Sequence, residues 1–490
     1  MRRENVKVKN QRWDHKTFLE ERNRVTAKWK TGQDINLEET TEYLKRLPLH
    51  KFEAVQVRKA KEKGSVLALP RAGVGPVPEM ISLLGILQNE GGADILPVTT
   101  DSYTRNERFE EAQAALDQSL KSGRSLLNGF PIVNHGLVSC RMLQEALQKP
   151  LQALGGTAHP GLIAEIAFAS GITGFLGSPL CYVMAYSKHT SVEQAIWNYQ
   201  YVDRLASFYA ERGIEFHREA PGFLTATTIP IGLCIAFNII ETLLAAGQGL
   251  RYYGVALHAG LNVPHGVAGF KALSELSQEY LEQFGYKNIF VPITGHQWRQ
   301  IPKDVGKAYA VICLGTVIST LAGVQLVTIR TIDEAIGIPR PENNAAAVRA
   351  TKEIIELVGT SRYPESKELL IEKEMIKTEA RAIINKVLEI GDGDPAVGSI
   401  LAFEAGILDA PFSINVHVKS NVLAAFDLEG IARYVEPGGL PVPKEILEYH
   451  HERLQKRANA QGKRVSYRMV LEDLTSEAPA VRPKVSSLSM

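Results

Sequence analysis

The 490-residue sequence predicts an α/β chain: a (β/α)8 barrel of the TIM type, preceded by a helical N-terminal arm and followed by an α+β C-terminal extension. Three observations predict it. Short apolar, strand-like runs alternate with helical spacing from about residue 65 to residue 360, and about eight such repeats argue for a closed parallel sheet. Segments 90–105 and 125–131 each set an apolar run before a polar turn marked by Gly or Pro, the layout of barrel loops that build a site. The alternative, a doubly wound sheet, lacks support: Gly73-Val-Gly75 has no third glycine at dinucleotide-binding spacing.

Residues 1–60 form the arm, where 17–30 and 37–47 have helical spacing of apolar residues and Gly32 punctuates between them. The arm is expected to pack on the main body or on another subunit. Within the barrel, 61–360, strands are expected at 65–69, 94–98, 126–132, 151–154, 223–229, 253–258, 289–293 and 325–329, with a further one inside 172–184. Helices are expected at 108–121, 142–147, 162–169, 192–212, 235–246, 270–284 and 307–321. The extension, 361–490, reads as a charged helix at 365–390, a turn at 391–395, a mixed segment and a second charged helix at 444–460. Its Ser-, Pro- and Ala-rich tail after Ser476 is expected to be disordered at its end. Asp392 and Asp394 faintly suggest a calcium loop, but Pro395 and the missing sixth-position glycine argue against one.

Composition narrows the function. The chain is 45% hydrophobic and 22% charged, as in an ordinary globular protein, and its net charge of +1 offers nothing to nucleic acid. Cys140, Cys181, Cys234 and Cys313 are scattered without C-x-x-C spacing, which speaks against a disulfide framework or zinc site and suits a reducing cytoplasm. Apolar runs 229–246 and 308–327 are broken by Pro, Gly, Asn or Thr and read as core pieces rather than membrane spans, and the charged N-terminus does not read as a signal peptide.

Several residues are candidates for chemistry. Arg71 and Arg105 follow the first two strands, where a guanidinium can clamp a carboxylate or phosphate bidentately; the plainer reading is a surface loop charge for each. Asp101 and Tyr103 accompany Arg105, with Asp101 alternatively capping a helix that begins near Glu107. Tyr182 and Tyr186, four apart, form either a core aromatic pair or two hydroxyls reaching a polar ligand. His296 follows a strand as a candidate acid/base group, and with no second ligand at metal spacing the metal reading is weak. Adjacent His450 and His451 point to different helix faces. Arg330 and Glu334 either pair at i,i+4 or hold a ribose diol. No nucleophile elbow, phosphate loop or zinc-protease signature occurs, so these residues alone leave the chemistry open.

From about Arg12 to Leu474 the chain resembles the large (epsilon) subunit of glutamate mutase, also called methylaspartate mutase, most densely in 90–105, 122–131, 199–205, 296–298, 334–339 and 466–474. The resemblance implies a barrel isomerase that interconverts glutamate and 3-methylaspartate by adenosylcobalamin radical chemistry. It implies a separate small subunit that carries the cobalamin through a D-x-H-x-x-G motif absent from this sequence, and a dimer of barrel chains. Carried over residue by residue, it implies Arg71, Arg105, Tyr182 and Tyr186 at the substrate, and Gly73, Asn128, Glu334 and Ile338 at the cofactor.

The pattern also breaks. The family's third clamp arginine and its neighbouring histidine fall at Leu154 and Gly155, and the glutamate that meets the substrate ammonium falls at Leu176, in a loop that has become Phe-Leu-Gly-Ser-Pro. The cofactor-binding lysine falls at Arg330, and a proline and a phenylalanine near the cofactor fall at Ala185 and Ile301. Two leucines facing a glutamate zwitterion would strand desolvated charge, at several kcal/mol. The expected substrate is therefore a related carboxylic acid without a free amino-acid head. The first alternative is an ordinary glutamate mutase, acting on glutamate and 3-methylaspartate with a pocket completed by other residues; the second is a non-catalytic relative that binds a small acid or partners a cobalamin protein.

Overall fold

A computed structural model describes residues 3–222, 228–298, 300–335 and 339–475. Eight short parallel strands, each followed by helix, carry the fold. They are β1 (Leu67–Leu69), β2 (Leu96–Thr99), β3 (Leu151–Leu154), β4 (Gly174–Leu176), β5 (His217–Glu219), β6 (Val255–His258), β7 (Ile293–His296) and β8 (Leu326–Thr328). They form two four-stranded parallel sheets, ordered β1-β8-β7-β6 and β2-β3-β4-β5. Backbone bonds also run between the sheets. Gly254 N–H donates to the Arg218 carbonyl (2.7 Å) and Ala220 N–H to the Gly254 carbonyl (2.9 Å), while Asp94 N–H reaches the Ala68 carbonyl (3.0 Å) and Thr99 N–H the Ala72 carbonyl (3.1 Å).

The strands are almost wholly buried and, apart from β5, mostly apolar, as parallel strands covered by helices must be. Helices Gly161–Ala169 and Ile231–Gly247 are buried nearly throughout, so their apolar periodicity dissolves into continuous hydrophobic sequence. Val305–Ala322 is long and apolar enough to cross a bilayer by length and composition. It packs against β7 and against helix Pro341–Val358.

The arm contains His15–Thr26, capped by Asp14, and Leu37–Arg46, capped by Asn36. It lies on the sheath rather than free: Trp13 meets Trp197 at 4.3 Å and Phe18 stacks on Tyr201 at 5.9 Å. The C-terminal region holds helices Lys367–Ile390, Pro395–Ala405, Lys444–Ala460 and Tyr467–Thr475 and an antiparallel pair, β9 (Leu423–Phe426) and β10 (Ala432–Glu436). Asp394, in the turn that faintly suggested calcium, caps Pro395–Ala405 and accepts the Asn10 N–H.

Three strand expectations need correction, and the one at 289–293 keeps only its last residue, since β7 runs Ile293–His296. Segment 126–132 is not a strand: Phe130 makes a single bridge to Thr100, and Pro131 then opens helix Ile132–Ala146. The strand expected at 223–229 falls largely outside the described residues, and the fifth strand is instead His217–Glu219. Its charged triplet hid it. Every one of those charges is buried and partnered, Arg218 with Asp203 at 2.7 Å and His217 with Glu219 at 2.7 Å.

Candidate active site

Strand faces are fixed from below. Gln152 of β3 donates to Glu53 (2.8 Å), His217 and Glu219 of β5 bond each other, and Thr294 of β7 donates to Glu219 (3.0 Å). These groups form one buried polar network, together with Tyr252, whose hydroxyl lies 2.7 Å from His217 Nδ1. Burial pushes Glu53 up to about 8. Burial alone would lower His217, but Glu53 and Glu219 outweigh it and raise it. Gly174 of β4 leaves the space for Glu53, since a Cβ there would sit 1.7 Å from its carboxylate oxygen.

Side chains alternate along a strand, so Leu154, Leu176 and His296 lie on those same faces, one step nearer the C-terminal ends. Leu154 and Leu176 are register partners, and the Gly155 N–H donates to the Leu176 carbonyl at 3.3 Å. His296 pairs in register with His258 of β6, their rings 5.4 Å apart.

Three sectors result. Past β8, β1 and β2 stand Arg330, Arg71 and Arg105. Past β3 and β4 stand the two leucines and the Tyr182–Tyr186 pair, whose rings meet edge-on at 5.1 Å. At β6 and β7 stand the two histidines.

In the cationic sector, Arg105 donates from Nε to the Thr100 carbonyl (2.7 Å) and its guanidinium lies 5.7 Å from the Tyr186 ring. Burial lowers its pKa, and Tyr186 and Tyr182 oppose that. Tyr182 is likewise raised by burial, with Tyr186 adding to it and Arg71 and Arg105 pulling the other way, so these four residues share one neighbourhood. Both tyrosines ride on helix Pro179–Tyr186, which hangs from Glu241: its carboxylate accepts the Leu180 and Cys181 N–H groups at 3.0 and 2.9 Å. Asp101 does cap a helix, as the plainer reading held, but the short Ser102–Arg105 rather than one starting near 107.

A cleft of about 510 Å³ opens beside this mouth, and Arg71, Gly73, Asn128, Arg330 and Glu334 line it together. Arg330 Nη1 donates to Glu334 at 2.8 Å, and the Arg330 N–H donates to Gln297 Oε1 at 2.8 Å. The pair thus presents a donor and an acceptor side by side. Asn128 Oδ1 accepts the Ser102 N–H (3.0 Å). A Cβ on Gly73 would fall 2.7 Å from the Thr99 carbonyl oxygen, so only glycine lets this wall approach β2. Ile338 lies outside the described residues.

Spacing alone did not reveal Glu241, Glu53 or His258. The signal for His258 was available: Val-Ala-Leu-His and Ile-Thr-Gly-His both end adjacent strands. His450 is buried against Tyr434 at 5.4 Å while His451 is exposed, in agreement with opposite helix faces. Among the described residues no three His, Cys, Asp or Glu side chains gather as metal ligands.

Residues 47–478 match the family described as methylaspartate mutase E chain (MutE). The chain is 41% identical to the glutamate mutase epsilon subunit of Treponema denticola, over 97% of this chain and 98% of that one. It is 39% identical to that of Desulfitobacterium hafniense, over 95% and 96%. It is 38% identical to that of Escherichia coli O157:H7, over 96% and 98%. Among solved structures, the N-acetylneuraminic acid synthetase of Leptospira borgpetersenii aligns at 12% identity and TM-score 0.34, over 63% of this chain and 90% of that one, a likeness too slight to add to the fold.

Proposed function

The chain belongs to the methylaspartate mutase E chain family, and from that premise we propose which acid it takes and which residues hold it. It is an isomerase subunit of the adenosylcobalamin-dependent glutamate mutase type, working with a partner subunit that holds the cofactor. Our finer reading begins with architecture. The eight strands close into one barrel, supported by the backbone bonds that join both edges of the two sheets. We assign residues 1–60 to the arm, 61–360 to the barrel and the rest to the extension. The partner carries D-x-H-x-x-G, two copies of this chain pair in the assembly, and the four free cysteines suit a reducing cytoplasm.

Arg71 and Arg105 hold a substrate carboxylate, and Tyr182 and Tyr186 close over it. Gly73, Asn128, Arg330 and Glu334, with Ile338, hold the cofactor's adenosyl end. The cleft fits that group: an arginine donor beside a glutamate acceptor suits a ribose diol, and the Gly73 wall admits a flat base. When bound, adenosylcobalamin supplies the hydrogen-abstraction chemistry. The residues of this chain orient the acid, exclude water and fix the distance between the two ligands.

The substrate is a carboxylic acid without a free amino-acid head group. The observation that carries this is Leu154 beside Leu176, 3% and 4% exposed, where the head group would lie. Among the described acids near the mouth, Asp101 is tied by one oxygen to the helix it caps and Glu334 is paired with Arg330. An ammonium would enter a mouth of three arginines and, at the head-group position, face two leucines. The test is anaerobic electron paramagnetic resonance on the assembled complex with glutamate and with carboxylic acids lacking the amino group. A coupled cobalt(II)–radical signal is expected with an amino-free acid, and a signal with glutamate alone overturns the reading.

A further inference from the structure

Helix Pro179–Tyr186, which carries Tyr182 and Tyr186, ends without folding back on itself. Ser187 leaves it in extended backbone (φ −130°, ψ 126°). The last carbonyls of a helix have no partner inside it, and a buried one left unmet is costly. Here the partners come from the C-terminal extension. Ser413 Oγ, 229 residues further along the chain, donates to the Met184 carbonyl at 2.9 Å. The Ile414 N–H reaches the same carbonyl at 3.3 Å, and the Val416 N–H donates to the Lys188 carbonyl at 3.0 Å. Between them, Asn415 Nδ2 shares its two N–H groups among the carbonyls of Val183 (3.2 Å), Ser187 (2.8 Å) and Thr190 (2.9 Å).

Asn415 is itself fixed. It is 2% exposed, whereas Ile414 and Val416 on either side are exposed, the alternation of an extended segment laid against a surface. Its Oδ1 accepts the His417 N–H (2.9 Å), and its own N–H donates to Ser413 Oγ (3.1 Å). Three carbonyls around one nitrogen settle which way the amide points, since a flip would set oxygen against oxygen. The base of the segment is closed by buried Asp409, whose carboxylate accepts the Ala410, Ser420 and Asn421 N–H groups at 2.8, 2.7 and 2.7 Å. These bonds give the segment a shape of its own, and it braces the helix from outside.

Val183 and Ser187 directly follow Tyr182 and Tyr186. One buried amide therefore grips the main chain next to each tyrosine, and with Glu241 at the N-terminal end the short helix is held at both ends. We propose that Asn415 is a positioning residue for the acid site: it sets where the two tyrosine rings stand beside Arg71 and Arg105, without touching the acid. The inference rests on the reading of Tyr182 and Tyr186 as closing over the bound acid, and it is independent of which acid that is. It gives the C-terminal extension a part in recognition. Such support matters because a misplacement of about 1 Å at a binding group can cost on the order of 100-fold in rate.

Asn415→Asp keeps the shape and loses the donor at neutral pH, and Asn415→Leu keeps the bulk without it. Ser413→Ala removes one of the two donors to Met184, acts the same way more weakly, and carries the test should either Asn415 variant fail to assemble. All are read in the assembled complex of this chain, its cobalamin-binding partner and adenosylcobalamin. Hydrogen–deuterium exchange over residues 183–190 is expected to rise about tenfold in the Asn415 variants, the scale of lost hydrogen bonds. Calorimetric binding of glutarate and of glutamate is expected to weaken about tenfold for whichever acid the wild type takes up, while adenosylcobalamin affinity stays within about twofold. Unchanged exchange over 183–190 overturns the inference. So does a loss of cofactor affinity equal to the loss of acid binding, because that marks a general unsettling of the fold. Tyr182→Phe and Tyr186→Ala separate the two readings. If they weaken acid binding while the Asn415 variants do not, the inference falls and the tyrosine reading stands. If they leave acid binding intact, both fall. Uptake of neither acid by the wild type would remove the acid site and the inference with it.

Discussion

Leu154 and Leu176 are register partners at the C-terminal ends of adjacent parallel strands, both buried, with the Gly155 N–H bonded to the Leu176 carbonyl. The resemblance to the family implies an arginine and a glutamate at these two positions. On that reading, adjacency ties the two positions together, because either charge alone would be a buried ion facing a leucine.

Restoring both charges is expected to recover glutamate binding. Leu154→Arg or Leu176→Glu alone should destabilise the fold by roughly 3–5 kcal/mol, and the double variant by clearly less than the sum. A double-mutant cycle in denaturant, with glutamate titration of the double variant, checks this. Strict additivity would show that the two sites do not face one another.

Glu241→Ala should remove the acceptor for two buried N–H groups and loosen the helix that carries Tyr182 and Tyr186, at roughly 2–4 kcal/mol. Its pH behaviour has a definite sign. Burial raises Glu241 from 4.5 to about 7, so the folded state binds more protons than the unfolded one between those values. That contribution is complete below about 4.5 and is lost as pH rises through about 7. Stability measured from pH 5 to 8 should fall, and Glu241→Gln should flatten the slope. An unchanged slope in the glutamine variant would assign the effect elsewhere.

Gly174→Ala is expected to cost about 1–3 kcal/mol or more by overpacking, because the new methyl would collide with the locked Glu53 carboxylate. Thermal unfolding reads it. Adding Glu53→Ala to make room should return part of the loss, and failure to do so would mean the collision is relieved another way.

Glu334→Ala removes the acceptor beside Arg330, a pair whose side chains are 7% and 19% exposed. Adenosylcobalamin affinity of the assembled complex is expected to drop about tenfold, the scale of one charge-assisted hydrogen bond, while the apo fold holds. Equal affinity in the variant would remove Glu334 from the cofactor site.

The sequence by itself determined the parallel α/β class, most helix positions and the strands whose apolar runs stand clear, such as Leu151–Leu154 and Leu326–Thr328. Local pattern suffices there, because a helix face or a buried strand is written in consecutive residues. It also named Arg71, Arg330 and Glu334 from their placement and spacing, and Gly73 and Asn128 through likeness to a family, and one cleft gathers all five. What it missed depends on partners far along the chain. His217–Glu219 reads as polar, yet it is a buried strand because Asp203, Glu53 and Tyr252, none adjacent in sequence, pair with its side chains. His258 joins His296 only through strand register, and Glu241 reaches Cys181 only through helix packing. Tertiary structure decided these because burying a charge or an imidazole is tolerable only where the fold delivers its partner, and register, not sequence distance, sets who that partner is.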